Sequence, residues 1–248
     1  MLKKTKKPHR WLKGGFIALC VLVGLVGVLL IFLDPIKAFF RKQYSNQAIK
    51  AFEQGESTFV VPDNEALSVD GEYGEEDIAP YKFLLDLGTM ADEYETLTLV
   101  GLMEIPELDI TEPVFQGVSY NALRYGVGVF PGTVNPGETG LCSLWGHRDP
   151  SVKTMLWNLE HCQDMIGGKV YVTTMDYVRR EYEIVECVYV KDAAMMPYMS
   201  KDTYDSEMLC IVTCGYGTDY KGVYHEYNTE FVVICKPVGT EQLDKPEM

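Results

Sequence analysis

A chain of 248 residues with 47% hydrophobic content is long enough for one sizeable globular domain and a smaller element beside it. Its 36 acidic residues outweigh 22 basic ones and leave a formal net charge of −14, a balance that excludes nucleic acid as a natural partner. The histidines and cysteines form no CxxC pair and no zinc-type cluster, so no metal or other cofactor is indicated.

Residues 1–13 are a basic tail carrying Lys3, Lys4, Lys6, Lys7, Arg10 and Lys13. From Phe16 to Leu33 there are 18 residues without a charge, and the spacing predicts a membrane-spanning helix over 14–34. A cleaved leader has an apolar core of about 7 to 15 residues and a small-x-small site, so an uncleaved anchor is expected instead. Six positive charges before the span put the N-terminus in the cytoplasm and the rest of the chain outside. All acidic residues lie at or beyond Asp34, which makes that exported portion strongly anionic.

Pro35 to about Gln54 reads as an amphipathic helix leaving the membrane, with Ile36, Phe39, Phe40, Ala48, Ile49 and Phe52 as its apolar positions. Gly55 to Glu95 turns acidic and irregular, as in "DGEYGEEDIAP", and reads as a linker or lid with a short helix near Tyr81–Met90; the whole 35–95 segment precedes the main domain. Beyond it, short apolar or alternating runs separated by Gly, Pro and Asn predict a mainly β domain. The expected strands are Thr96–Met103, Ile110–Phe115, Gly140–Trp145, Lys169–Thr174, Arg180–Val190, Glu207–Thr213 and Thr229–Cys235. A short helix is expected at Tyr120–Tyr125. A longer one is expected over 152–166, where Val152, Met155, Leu156, Leu159, Cys162 and Ile166 repeat at helical spacing.

Cysteine usage raises the chemical question. Cys20 belongs to the expected span, and Cys142, Cys162, Cys187, Cys210, Cys214 and Cys235 follow it. Cys210 and Cys214 cannot bridge each other along one strand, where four residues span about 13 Å against a bridging limit of about 7 Å. Cys214 closes the apolar run "LCIVTC", and a thiol at a strand end is either a small buried hydrophobe or a nucleophile. Of the four histidines, His9 is in the basic tail, His161 in the expected long helix and His225 in the loop after Cys214. His147 ends the run "LCSLWG", so two strand ends carry a thiol and an imidazole, the pair that thiol catalysis requires.

The stretch "GVGVFPGTVNPGETGLCSLWGHRD", followed some sixty residues later by "LCIVTC", resembles the sortase family of membrane-anchored cysteine transpeptidases. The resemblance is carried by Gly126, Gly128, Gly132, Thr133, Pro136, Gly137, Gly140, Gly146, His147 and Arg148, then by Thr213 and Cys214. The earlier "MEIPELDITEPVFQG" resembles the family's first strands through Ile105, Pro106, Leu108, Ile110, Pro113 and Gly117. It implies an eight-stranded sortase-like β-barrel with short helices over 96–238, preceded by the anchor and followed by a tail at 239–248. It further implies that Cys214 attacks a backbone carbonyl in a Leu-Pro-x-Thr-Gly-like sorting signal of a surface protein or pilin to give a thioester. His147 then protonates the leaving amine and deprotonates the incoming one, which the resemblance identifies as an amine of a peptidoglycan precursor or a pilin.

One departure stands out. Sortases carry an arginine at the start of the strand after the nucleophile, where this chain reads "YNTEFVVICK" with Thr229 or Glu230 in that place, and no arginine follows Arg180. Arg148, Lys221, Asn228 and the tyrosines of "GYGTDYKGVYHEY" are the groups expected to support the substrate or its oxyanion instead, with Thr213 shaping the groove. The same departure leaves open a sortase-like protein that binds peptides or scaffolds assembly without catalysis, and a thiol hydrolase that accepts water is the minor third reading. The segment "EEDIAPYKF" is either a lid over the groove or an ordinary linker.

Overall fold

Alternating side chains from residue 94 onward fold into a mainly β architecture with a few helices. The computed structural model describes residues 10–31, 33–62, 94–149 and 154–245. Two helices, α1 (Arg10–Ile31) and α2 (Leu33–Glu53), precede β1 (Thr58–Pro62) and β2 (Tyr94–Ile105). Then come β3 (Ile110–Gln116), α3 (Tyr120–Tyr125), β4 (Val127–Val129), β5 (Leu141–Trp145), and the short pair β6 (Arg148–Asp149) and β7 (Thr154–Met155). After these run β8 (Lys169–Thr174), β9 (Val178–Lys191), β10 (Met208–Cys214), β11 (Gly217–Thr218), β12 (Tyr224–His225) and β13 (Thr229–Gln242).

Nine strands form one sheet in the order β1-β2-β3-β4-β5-β10-β13-β9-β8. A further pairing of β2 with β8 closes eight of them into a ring, with β1 added against β2. Every strand of the ring sends apolar side chains to one shared core, among them Met103, Val114, Val127, Leu144, Leu209, Phe231, Tyr182 and Val170. The period of two decides what faces it. Leu209 and Ile211 of β10 join that core, while Cys210 and Val212 turn to the other side of the sheet, where Val190, Val232 and Ile234 form a second apolar face.

The expected helix at 35–54 corresponds to α2, but the side chains that seat it differ from those anticipated. Phe39 and Phe40 stay exposed, whereas Ala48, Ala51 and Phe52 pack against Leu97, Phe115, Tyr125 and Tyr177. Ser45 fixes the register of α2 on β3 by donating to the buried Glu112 carboxylate at 2.9 Å. The span expected from Phe16 to Leu33 includes position 32, which lies outside the described residues. Among the described residues no helix is long and apolar enough to cross a membrane.

The helix expected over 152–166 is corrected. Residues 154–155 are strand β7, and only Leu159–Asp164 is helical, as a 3-10 turn. Of the apolar repeat, Leu156, Leu159 and Cys162 are buried, Ile166 is exposed and Val152 lies outside the described residues, while Met155 at φ 43° breaks the right-handed path. The expected strands omit β1 and β4 of the main sheet and the short β6, β11 and β12, and β13 continues past Cys235 to Gln242 through irregular pairing with β9 around Pro237. The linker or lid stretch at 63–93, including Glu75–Phe83 and the helix near Tyr81–Met90, lies outside the described residues.

Candidate active site

Cys214 is the last residue of β10, which runs parallel to β5 with Val212 level with Trp145. Two residues further on, Cys214 ends β10 and His147 lies just past the end of β5, so the parallel register brings the thiol and the histidine to the same edge of the sheet. Two bonds hold the ends together: the Gly146 N–H donates to the Val212 carbonyl at 3.1 Å, and the buried Thr213 hydroxyl donates to the Gly146 carbonyl at 2.7 Å. Any side chain at Gly146 would place its Cβ 2.8 Å from Val127 Cγ1 and 2.9 Å from Leu156 Cδ1, so glycine is what lets the His147 loop lie this close to the core. Past the nucleophile, a Cβ at Gly215 would meet the β13 backbone at Glu230 and Phe231 at 2.8 Å.

The alternation along β10 turns Cys214 to the second apolar face, with Cys210 and Val212 below it. The chain from Asp192 to Thr203, three consecutive 3-10 turns, covers that face with Met195, Tyr198 and Met199. Cys214 therefore stands at the end of that apolar face. Tyr216, two residues past Cys214, and Tyr227 are exposed aromatics with rings 5.5 Å apart.

Glu230 of β13 is the direct antiparallel partner of Cys214. The Gly215 N–H donates to the Thr229 carbonyl at 2.8 Å, so Cys214 and Glu230 form a non-hydrogen-bonded pair, the arrangement in which opposing side chains approach most closely. Of the two residues that stood for the expected arginine, it is Glu230 that faces the thiol. Thr229 is buried next to it and turns the other way along the strand. Burial, reinforced by the charge of Asp192, raises the Glu230 carboxyl to about 7. Burial first and the Glu230 charge second push the Cys214 thiol up to about 12, against the pull of the Arg148 guanidinium. At neutral pH Cys214 is accordingly a thiol and not a thiolate.

Arg148, one of the candidates for the missing arginine's place, is held by groups of the protein itself. Its guanidinium forms a buried ion pair with Glu160 at 2.6 Å and donates to the carbonyls of Cys214 at 3.3 Å and Tyr216 at 3.4 Å. It braces the backbone of the nucleophile turn. Glu160 also accepts from the Tyr189 hydroxyl at 3.0 Å, and the Tyr189 ring stacks on His225 with centroids 3.5 Å apart. His225 in turn pairs with Asp219 at 3.0 Å. This chain of contacts holds the β11–β12 hairpin. It places His225 over Tyr189, the partner of Phe231, on the sheet face opposite Cys214. His161 stacks on Tyr220, so His147 is the histidine level with the thiol. Lys221 is bound to Asp164 at 2.8 Å on the exposed hairpin. Asn228, at φ 65°, offers its carbonyl to the Asp192 N–H at 3.1 Å, which carries Asp192 toward the nucleophile.

The residues missed from sequence are Asp192, Glu160, Tyr189 and Asp219. Asp192, Glu160 and Tyr189 act through contacts between segments distant along the chain, whereas Asp219 closes the hairpin turn locally by accepting from the Lys221 and Val223 N–H groups at 2.9 and 2.8 Å. The seven cysteines are unbridged.

A Sortase domain matches residues 103–238, more than half of the chain. Over 224 residues the chain is 26% identical to Sortase A of Streptococcus agalactiae serotype III (strain NEM316), covering 86% of this chain and 83% of that one. Among solved structures, sortase A of Listeria monocytogenes is 22% identical, with 59% of this chain and 92% of that one covered at a TM-score of 0.48. Sortase C-1 of Actinomyces oris is also 22% identical, with 64% and 82% covered at a TM-score of 0.48. On the strength of the domain match, the chain belongs to the sortase family, whose members are generally cysteine transpeptidases.

Proposed function

We propose that the protein is a cysteine transpeptidase that cleaves a Leu-Pro-x-Thr-Gly-like sorting signal and transfers its acyl group to an amine of a peptidoglycan precursor or a pilin. The observation that carries this reading is the parallel register that brings Cys214 and His147 to the same edge of the sheet at the end of an apolar face. In the proposed cycle, His147 takes the Cys214 proton and the sulfur attacks the scissile carbonyl. The thioester forms as the peptide C–N bond breaks and the departing amine leaves with the proton from His147. The acceptor amine then gives its proton to His147, attacks the thioester and regenerates the thiol.

The same reading includes an N-terminal anchor with the catalytic domain outside the cell. It is supported by the 18 uncharged residues from Phe16 to Leu33, the six positive charges before them and the exposed apolar surface of α1, where Phe16, Ile17, Leu22 and Leu25 are uncovered.

Incubating the full chain in detergent micelles with a panel of Leu-Pro-x-Thr-Gly peptides and triglycine or a lysine peptide tests the reaction by mass spectrometry. The expected product is the ligated peptide, absent in the Cys214→Ala variant. A hydrolysed peptide with no ligation even at high amine concentration contradicts transfer and favours hydrolysis. A second reading, a peptide-binding scaffold, is favoured by the acidic pair Glu230 and Asp192 beside a thiol raised to about 12; it predicts peptide binding without turnover.

A further inference from the structure

Thioester formation passes through a tetrahedral oxyanion, which needs a hydrogen-bond donor on the side of the sheet where Cys214 points. The two terminal nitrogens of Arg148 are engaged by Glu160 and by two backbone carbonyls, its Nε is buried without a hydrogen-bond partner, and Lys221 is bound to Asp164. The polar side chain that the register sets against the sulfur is Glu230, whose Cβ stands about 5 Å from that of Cys214 in such a pair. As a carboxylate it would repel the developing charge. As an acid it has one O–H to donate.

We propose that Glu230 acts in its protonated form as the oxyanion donor of this active site, so that acyl transfer is carried by a neutral carboxylic acid and fades as that acid ionises. The proposal rests on Cys214 being the nucleophile. In the step, the Sγ–C bond forms, the carbonyl electron pair moves to oxygen, and that oxygen accepts a hydrogen bond from the Glu230 carboxyl, which keeps its proton throughout. Collapse of the intermediate returns the pair to the carbonyl and expels the amine protonated by His147.

The surroundings favour the acid form. From β10 the facing group is the Cys214 thiol, and from β9 it is apolar Val190. Beyond the end of β9, the Asp192 carboxylate adds like charge. His147 stands level with Cys214 just past the end of β5, while Lys191 is drawn off to Glu226 at the surface. Burial and Asp192 together place the Glu230 carboxyl near neutrality.

The test uses the full chain in detergent and two small electrophiles that require no sorting signal. p-Nitrophenyl acetate acylates a thiol through an oxyanion, whereas iodoacetamide alkylates it without one. Intact-mass spectrometry reads both between pH 5 and 9 for wild type, Glu230→Gln, Glu230→Ala and Cys214→Ala. Below pH 6, Glu230→Gln should acetylate within a few-fold of wild type and Glu230→Ala about 100-fold more slowly. Above pH 8 Glu230→Gln should overtake wild type by about tenfold per pH unit, because the amide cannot ionise. Iodoacetamide should label Glu230→Ala at least as fast as wild type at every pH. Equal acetylation of wild type and Glu230→Ala below pH 6 overturns the proposal, and so do parallel pH profiles for wild type and Glu230→Gln. Acetylation that survives in Cys214→Ala overturns the nucleophile assignment itself, a failure visible separately from any effect at Glu230.

Discussion

Replacing Arg148 with methionine removes the brace behind the nucleophile, and the structure gives the size of the effect. The guanidinium is 6% exposed and its partner Glu160 is 5% exposed, so the variant strands a buried carboxylate with the Tyr189 hydroxyl as its remaining donor. Breaking a buried pair from one side costs about 3 to 5 kcal/mol. The carbonyls of Cys214 and Tyr216 lose a charged donor at the same time, and hydrogen bonds of that kind contribute about 1.5 to 3 kcal/mol each when well formed. At 3.3 and 3.4 Å these two belong at the lower end, about 1.5 kcal/mol each, so a total loss of about 6 to 8 kcal/mol is expected. That is a large part of the roughly 5 to 15 kcal/mol that holds a typical domain. Urea unfolding followed by tryptophan fluorescence measures it, alongside the double variant Arg148→Met with Glu160→Met. Because the double variant leaves no lone charge, it should recover most of the loss. Surviving double-variant protein should still react more slowly with iodoacetamide, since the Arg148 charge lowers the thiol pKa. A single-variant cost below about 1 kcal/mol, or a double variant no more stable than the single one, would refute the bracing role.

Glu112 offers a pH test of how α2 is seated. Burial, opposed by Lys42 and the Ser45 hydroxyl, raises its carboxyl from an ordinary 4.5 to about 7. The folded state therefore keeps a proton that the unfolded chain releases between those values. Its contribution is fully present below pH 4.5 and is lost as pH rises to 7, about 3 kcal/mol in all. Glu112→Gln should show a flatter decline of unfolding free energy between pH 5 and 8 than wild type; identical slopes would count against it. Thr213→Val removes the bond that ties the two strand ends at 2.7 Å and orphans the Gly146 carbonyl. It should cost about 1 to 3 kcal/mol in urea unfolding and slow acylation of Cys214, while an unchanged acylation rate would show that the tie does not position the site.

The layout of the candidate site was partly legible from residue order alone. A thiol and an imidazole each closing an apolar run mark two strand ends, and the glycine before His147 marks a close approach that the contacts of Gly146 with Val127 and Leu156 explain. What stayed hidden depends on pairing across the sheet. The choice between Thr229 and Glu230 turns on a one-residue register, which flips the side chain from one face to the other. Asp192 reaches the site because Asn228 holds its backbone N–H, a contact between residues 36 positions apart that no local spacing announces. Likewise the apolar repeat reports burial correctly at Leu156, Leu159 and Cys162, though not at the exposed Ile166, and reports the backbone wrongly. A left-handed residue at Met155 and a 3-10 turn deliver the same side chains to the core.

The most direct measurement is to localise the acyl group. Full-length protein is mixed with a Leu-Pro-x-Thr-Gly peptide, quenched in acid during a single turnover and mapped by proteolysis and mass spectrometry, with His147→Ala run beside wild type. The account predicts a thioester on Cys214 alone among the seven cysteines, forming about 100-fold or more slowly without the imidazole. An acyl group found on another cysteine, or one that accumulates on Cys214 at an undiminished rate in His147→Ala, would contradict it.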